Sequence, residues 1–235
     1  MILTKLLLAH ILGDFFLQPK KWVDHKNNHK WKSPYLWLHA SIHFILIIVV
    51  LWNVEIWPVA AAIAVSHLII DGIKLTFQSE KNLSIWFTAD QIAHLFILIA
   101  VWYFYWGGFE FHMPEDTVWI IGLGALFITF PASIIMQKFM IRWNKQIDTQ
   151  NDGTLDGAGT YIGILERIFI YLAILSSNVQ VIGFLLAAKS VFRFGDLSRS
   201  EDRKLTEYIL IGTLLSFLIA ILTGMIVAEA TKYFL

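Results

Sequence analysis

From Trp57 to Phe77 the chain reads WPVAAAIAVSHLIIDGIKLTF, and the reading of this run decides the fold. A helix that crosses the hydrocarbon layer of a bilayer takes about 20 predominantly apolar residues, which this segment supplies. His67 and Asp71 interrupt it four residues apart, so they stand one turn apart on a single helix face. An ionisable group inside a membrane costs roughly 2.5–3.5 kcal/mol on insertion scales. A face that carries two of them must therefore meet a partner.

Working outward, runs of the same character recur at Ile2–Gln18, Pro34–Leu51, Ile85–Tyr105, Val118–Met140, Thr160–Ser176, Val179–Phe194 and Leu205–Tyr233. They predict an all-α fold, a polytopic transmembrane helix bundle of about eight spans, some of them short. The sixth and seventh are so close in sequence that a re-entrant pair is the alternative. Composition agrees: the chain of 235 residues is 57% hydrophobic and 15% charged, against about 25% charged in soluble domains. A formal net charge of zero gives no global field to attract nucleic acid. Cysteine is absent, which excludes disulfides, thiolate metal ligands and a cysteine nucleophile. His10 and Asp14 interrupt the first run, and Gln18-Pro19-Lys20 offers no small-residue cleavage site, so it reads as a retained helix rather than a signal peptide.

The loops set the orientation. Lys20, Lys21, Lys26, Lys30 and Lys32 lie between spans one and two, and Lys74 and Lys81 between three and four. Lys138, Arg142 and Lys145 lie around the five–six connection, and Arg193, Arg199, Arg203 and Lys204 between seven and eight. The intervening loops, Trp52–Ile56, Trp106–Thr117 and Ser177–Asn178, carry no lysine or arginine. Positive loops face the cytoplasm, so both termini are expected on the opposite side. The basic segment Lys20–Lys32, with Trp22 and Trp31, suits an anionic inner leaflet, and Trp102–Trp106 an outer aromatic belt.

The polar stretch Gln146–Gly159 separates two expected halves of four helices each, residues 1–110 and residues 111–235. Asp148, Asp152, Gly153 and Asp156 invite comparison with a calcium loop. Gln150 stands where that motif needs Asp or Asn, and Gly159 where it needs a closing glutamate, so a solvated linker is the expectation.

The first half repeats the spacing of His67/Asp71 at His10/Asp14, His39/His43 and Asp90/His94. Counted inward from the lysine-rich end of each span at about 1.5 Å per residue, all four pairs fall in one layer, roughly 6–15 Å deep. Separate interhelical hydrogen bonds would account for one such pair. Eight ionisable groups at one depth need a common reason, and a divalent cation supplies it by neutralising carboxylates and accepting imidazole lone pairs. The candidate metal ligands are thus His10, Asp14, His39, His43, His67, Asp71, Asp90 and His94. Five histidines and three aspartates exceed one tetrahedral set, so either two ions share the site or some residues orient the others. Nitrogen and oxygen donors suit zinc first, and manganese or iron as well. His25 and His29 share the spacing but lie outside the apolar layer, as surface residues.

In the second half Glu166 and Arg167 lie within span six, and Lys189 and Arg193 one turn apart near the inner end of span seven. Two readings stand side by side. Glu166 pairs with Lys189 while Arg193 snorkels to lipid phosphates, or Glu166, Arg167, Lys189 and Arg193 form a substrate-binding cluster that recognises phosphate.

The run His10-Ile11-Leu12-Gly13-Asp14-Phe15-Phe16-Leu17-Gln18 resembles a bacterial membrane family known as domain of unknown function 3307. The HxxxH of span two, Ser66-His67 with Asp71, and Asp90-Gln91 with His94 continue the resemblance over roughly residues 1–110. Leu165-Glu166-Arg167 and Ala187-Ala188-Lys189-Ser190 resemble its longer members. The family name implies a bacterial inner-membrane setting and no reaction. More distantly, the pattern is similar to membrane-bound metal-dependent hydrolases and to seven-span ceramidase-like lipid hydrolases. The chain lacks the HExxH of membrane-embedded zinc proteases.

The leading expectation is a metal-dependent hydrolase acting on a lipid or lipid-linked substrate, weakly favouring a phosphoester, at the inner leaflet. A member of the set Asp14, Asp71 and Asp90 that does not bind metal would accept the proton of the attacking water. The alternatives are a transporter of divalent metal or metal-coupled protons, and a metal-stabilised scaffold or sensor without turnover.

Overall fold

The computed structural model describes residues 1–108, 116–144, 157–193 and 202–232, without the side chains of Arg142, Phe192, Arg193, Asp202 and Arg203. Asp148, Gln150, Asp152, Gly153 and Asp156 lie outside the described residues. Every regular element among those described is helical: α1 (Ile2–Phe16, its last turn Leu12–Phe16 π-helical), α2 (Lys20–His29), α3 (Pro34–Leu51), α4 (Trp57–Phe77), α5 (Leu83–Trp106), α6 (Asp116–Phe127), α7 (Phe130–Asn144), α8 (Ala158–Leu175), α9 (Gln180–Arg193) and α10 (Asp202–Thr231).

Six segments are long and apolar enough to cross a membrane: α3, α4, α5, α6 with α7 as Asp116–Ile141, α8, and Lys204–Thr231 of α10. α1 joins α2 through a bend of 82°, and the pair counts as a seventh candidate if taken as one broken span. The apolar part of α9, Gln180–Val191, falls short of spanning length.

The distribution of side chains follows from lipid as the solvent. On α3, α4 and α5 the buried positions include His39, His43, His67, Asp71, Asp90 and His94, while Ile45, Val49, Val65, Ile69, Ile92 and Phe96 face outward. A soluble helix does the reverse. Hydrocarbon neither penalises exposed aliphatic side chains nor hydrates imidazoles and carboxylates, so the polar faces turn inward.

The chain forms two compact units, Met1–Trp119 and Ile120–Leu235. In the first, α1 packs on α3 and α5, and α4 lies against α3 and α5. Leu6, Ala9, Ile47, Ala60, Ile63 and Leu98 form its apolar core. α2 runs along the lysine-rich side of this bundle. The Trp31 ring seats on the backbone of Gly72, where a Cβ would overlap it, and Trp31 Nε1 donates to Thr76 Oγ1 at 3.0 Å. Trp22 stacks on Tyr35 with ring centroids 5.3 Å apart. In the second unit α10 packs against α8 and α7, and α9 against α8. Pro131 cannot donate a backbone hydrogen bond, and the helical ladder breaks at Ile128 and Thr129.

Candidate metal centre

Helical register builds the site in layers, with one residue from each of α1, α3, α4 and α5. Leu6, Ile47, Ile63 and Leu98 form an apolar layer, buried to 4% exposure or less. One turn away on each helix stand His10, His43, His67 and His94, and one turn further Asp14, His39, Asp71 and Asp90. Seven of these eight polar residues are at most 4% exposed, and Asp14 keeps 10% of its side chain accessible. The sequence places each pair on its helix; the fold brings all four pairs together.

The contacts are those of one cluster. Asp14 Oδ1 lies 3.0 Å from His43 Nε2, 3.3 Å from His39 Nε2 and 3.3 Å from His67 Nε2. His67 Nε2 and His39 Nε2 are 3.0 Å apart. The His43, His67 and His94 rings form a stack with successive centroids 3.8 Å apart, and the His10 ring lies 5.4 Å from that of His94. His94 Nε2 is 3.4 Å from Asp90 Oδ1 and 3.7 Å from Asp71 Oδ1. Three overlapping sets could hold a metal ion: His10, Asp14, His43 and His67; His39, His67 and Asp71; and Asp71, Asp90 and His94.

Local backbone geometry makes this approach feasible. Asp14 sits in the π-helical turn, a widening of the helix often found at functional sites. Gly13 precedes it, and a Cβ there would overlap the His43 imidazole. The glycine lets α1 come close enough for Asp14 to meet rings from two other helices.

Three further side chains complete the layer, and sequence reasoning did not place them there. Lys26, counted as a loop charge, reaches in from α2 at 5% exposure and donates to Asp71 Oδ2 at 2.7 Å. Lys74 donates to Asp90 Oδ2 at 2.7 Å. Gln91 Nε2 bridges Asp14 Oδ2 at 2.8 Å and Asp90 Oδ2 at 3.3 Å. Lys74 was findable, being three residues after Asp71 and on its face; Lys26 had no such signal. His25 and His29 stay outside the cluster, stacked on one another at 3.9 Å.

The chemistry of the donors fits a cation. His10 Nε2, His39 Nδ1, His94 Nε2 and Asp90 Oδ1 are buried without a hydrogen-bond partner. Each such atom costs about 1–3 kcal/mol, and His10 Nε2, His94 Nε2 and Asp90 Oδ1 belong to residues of the sets that could hold an ion, which would relieve them. Ligands 2.0–2.1 Å from a tetrahedral zinc lie roughly 3.3 Å from one another. Four of the six separations among Asp14, His39, His43 and His67 fall at 3.0–3.3 Å, near that spacing.

In the second unit Lys189 Nζ donates to Glu166 Oε2 at 2.7 Å, so these two charges pair with each other. Arg167 is 2% exposed and donates to the carbonyls of Ile128 and Thr129 at the helix break, and to Ser133 Oγ and Ser216 Oγ. The Arg193 side chain lies outside the described residues.

The first unit is therefore a helical membrane bundle with a buried His/Asp cluster able to hold a metal ion. Residues 2–116 match the model of a family described as a protein of unknown function, DUF3307. That match spans all eight candidate ligands together with Lys26, Lys74 and Gln91. No curated protein and no solved structure matches the chain, so the more distant likeness to metal-dependent hydrolases finds no counterpart among them.

Proposed function

We propose that the chain is a membrane-embedded metal-dependent hydrolase acting on a lipid or lipid-linked substrate, a phosphoester in the first instance, at the lysine-bearing face of the bundle. The observation that carries this reading is the meeting of three imidazole nitrogens at one carboxylate oxygen, Asp14 Oδ1, beside buried donor atoms that lack hydrogen bonds. His10, Asp14, His43 and His67 would hold a divalent ion, zinc foremost, with Gln91 fixing the Asp14 carboxylate. When bound, such an ion acidifies a coordinated water and polarises the scissile bond.

Charge balance supports one ion rather than two. The carboxylates of Asp14, Asp71 and Asp90 face the ammonium groups of Lys26 and Lys74, which leaves the layer one negative charge in excess when the imidazoles are neutral. One divalent cation turns that into one positive charge, which an anionic substrate group can complement. Two cations would leave three positive charges in a low-dielectric interior. Asp71 and Asp90, oriented by their lysines, are placed to accept a proton, and Lys26 offers an ammonium to a phosphate arriving from its side.

The apolar layer bears on the transporter reading. An ion moving through the bundle would have to pass Leu6, Ile47, Ile63 and Leu98, where the cavity beside the histidines is about 10 Å³. That is room for one water at most. A site closed on one side and lined with lysines on the other favours turnover at a single membrane face.

We also count α1 and α9 as short spans accommodated by bilayer adjustment, which gives eight and places both termini outside a bacterial cytoplasmic membrane. The test of function is elemental analysis of detergent-purified protein, followed by a lipid and phospholipid hydrolysis panel. Asp14→Asn and His67→Ala should lose the metal, whereas Asp71→Asn should retain it and lose turnover. Metal content unchanged in the first two variants would remove the site, and a metal-loaded protein inert toward the whole panel would remove the reaction.

A further inference from the structure

A second cavity, of about 580 Å³, lies wholly within the second unit and is walled by α7, α8, α9 and α10. Its size falls in the range of roughly 300–1,000 Å³ typical of small-molecule sites. Met136, Met140, Ile162 and Ile209 give it apolar walls, while Arg167, Lys189 and Glu166 bring charge to it.

The balance of those charges is the informative feature. Glu166 and Lys189 neutralise each other at 2.7 Å. Arg167 has no carboxylate bonded to it among the described residues; its partners are two backbone carbonyls, two serine hydroxyls and Met136 Sδ. The two carbonyls belong to the turn between α6 and α7, where the end of one helix dipole meets the start of the next and neither supplies a net negative charge. The remainder is a positive charge, 2% exposed, beside a cavity with apolar walls inside a membrane helix unit. Burying it there is costly unless an anion supplies the balance.

We propose that this cavity holds the phosphate-bearing head group of an anionic lipid, with the upper chain carbons against Met140, Ile162 and Ile209. Arg167 supplies the fixed field, and Lys189 exchanges part of its pairing with Glu166 for the phosphate. The head group and the start of the chains fit the volume, and the rest of the lipid stays in the bilayer. This site does not rest on the metal reading.

The experiment uses the full-length chain in non-ionic detergent. It is titrated separately with phosphatidic acid, phosphatidylcholine and oleate, and retained lipid is counted by native mass spectrometry. One phosphatidic acid should be retained with at least about a tenfold preference over phosphatidylcholine, the factor that one charge-assisted contact provides. Gly159 lines the cavity, and a Cβ there meets nothing within 4 Å, so Gly159→Phe should be accommodated by the fold and, by narrowing the cavity, lower retention. Arg167→Gln should bring the two phospholipids to near-equal retention. If that variant fails to fold, Lys189→Gln together with Gly159→Phe carries the test. Equal retention of phosphatidylcholine by wild type, oleate held as well as phosphatidic acid, or full retention by Gly159→Phe would each overturn the proposal.

Discussion

Gly13→Ala places one methyl group between α1 and the His43 imidazole, and its effect can be worked out from the contact. A Cβ built at residue 13 lies 2.5 Å from His43 Nε2 and 3.0 Å from Nδ1, whereas ordinary contact begins near 3.4 Å. The ring must retreat by roughly 1 Å, because a packed interior has no slack to absorb the group. His43 Nε2 is 3.0 Å from Asp14 Oδ1, so the same retreat opens that separation to about 4 Å, too far for a hydrogen bond or a shared ion. Overpacking costs about 1–3 kcal/mol, and replacing a helical glycine returns roughly 0.5–1 kcal/mol. The metal-free protein should thus lose only about 0–2.5 kcal/mol on those figures. Metal affinity should fall independently of the fold, by the 10–100-fold typical of a misoriented ligand shell (an order-of-magnitude figure, roughly 1.4–2.7 kcal/mol). A competition titration against a chromogenic chelator measures the affinity, and a thermal melt in chelator measures the fold. Gly122→Ala is the control, since a Cβ there meets nothing within 4 Å. Wild-type affinity in Gly13→Ala, or equal loss in Gly122→Ala, would refute the reasoning.

Lys26→Met strips Asp71 of its ammonium and leaves a buried charge unpaired, a loss of about 3–5 kcal/mol; its melting temperature should drop in chelator and recover with added divalent ion. Combined with Lys74→Met, it should raise the metal count from one ion per chain toward two, read by elemental analysis, and a count that stays at one would contradict the charge argument. Gln91→Leu removes the hydrogen bond to Asp14 Oδ2 and should weaken metal binding by about 10–100-fold with little change in the metal-free melt. Gly72→Leu puts a side chain where the Trp31 ring lies, so α2 should undock and limited proteolysis should cut between Lys20 and Lys32 far faster than in wild type.

Much of this was legible because helical register is a sequence property. Pro34–Leu51 and Trp57–Phe77 have the same bounds in the sequence reading and in the structure, since a proline opens each and polar residues follow. The four i, i+4 pairs were visible for the same reason. The apolar layer is equally readable, one turn from each histidine. Lys26 was not readable: a lysine in a basic loop carries a topological signal that masks any inward role, and its burial depends on how α2 folds back after the 82° bend. Arg167 was misleading in another way. Two of its five partners are backbone carbonyls, which no residue pattern displays, although Pro131 marks the break where they lie. That break divides Val118–Met140, read from sequence as one span, into α6 and α7.

The origin of Lys26 links the chemistry of the site to access. Of the two ammonium groups that balance the carboxylate layer, Lys74 belongs to the bundle itself, whereas Lys26 arrives on α2, which is fastened through Trp31 on Gly72 and Thr76 and through Trp22 on Tyr35. Lifting α2 would open the lysine-bearing side and withdraw one positive charge in the same movement. The exposed layer would then be more negative and would hold a divalent ion more tightly. On the proposed reading, with α2 lowered Lys26 would restore the positive balance that an anionic head group needs. A single helix would thus set both the affinity for the cation and the reception of the substrate, which ties metal retention and substrate binding to the contacts that hold α2 in place. Weakening those contacts should accordingly tighten the metal while loosening an anionic ligand, opposite effects that a general loss of structure would not produce.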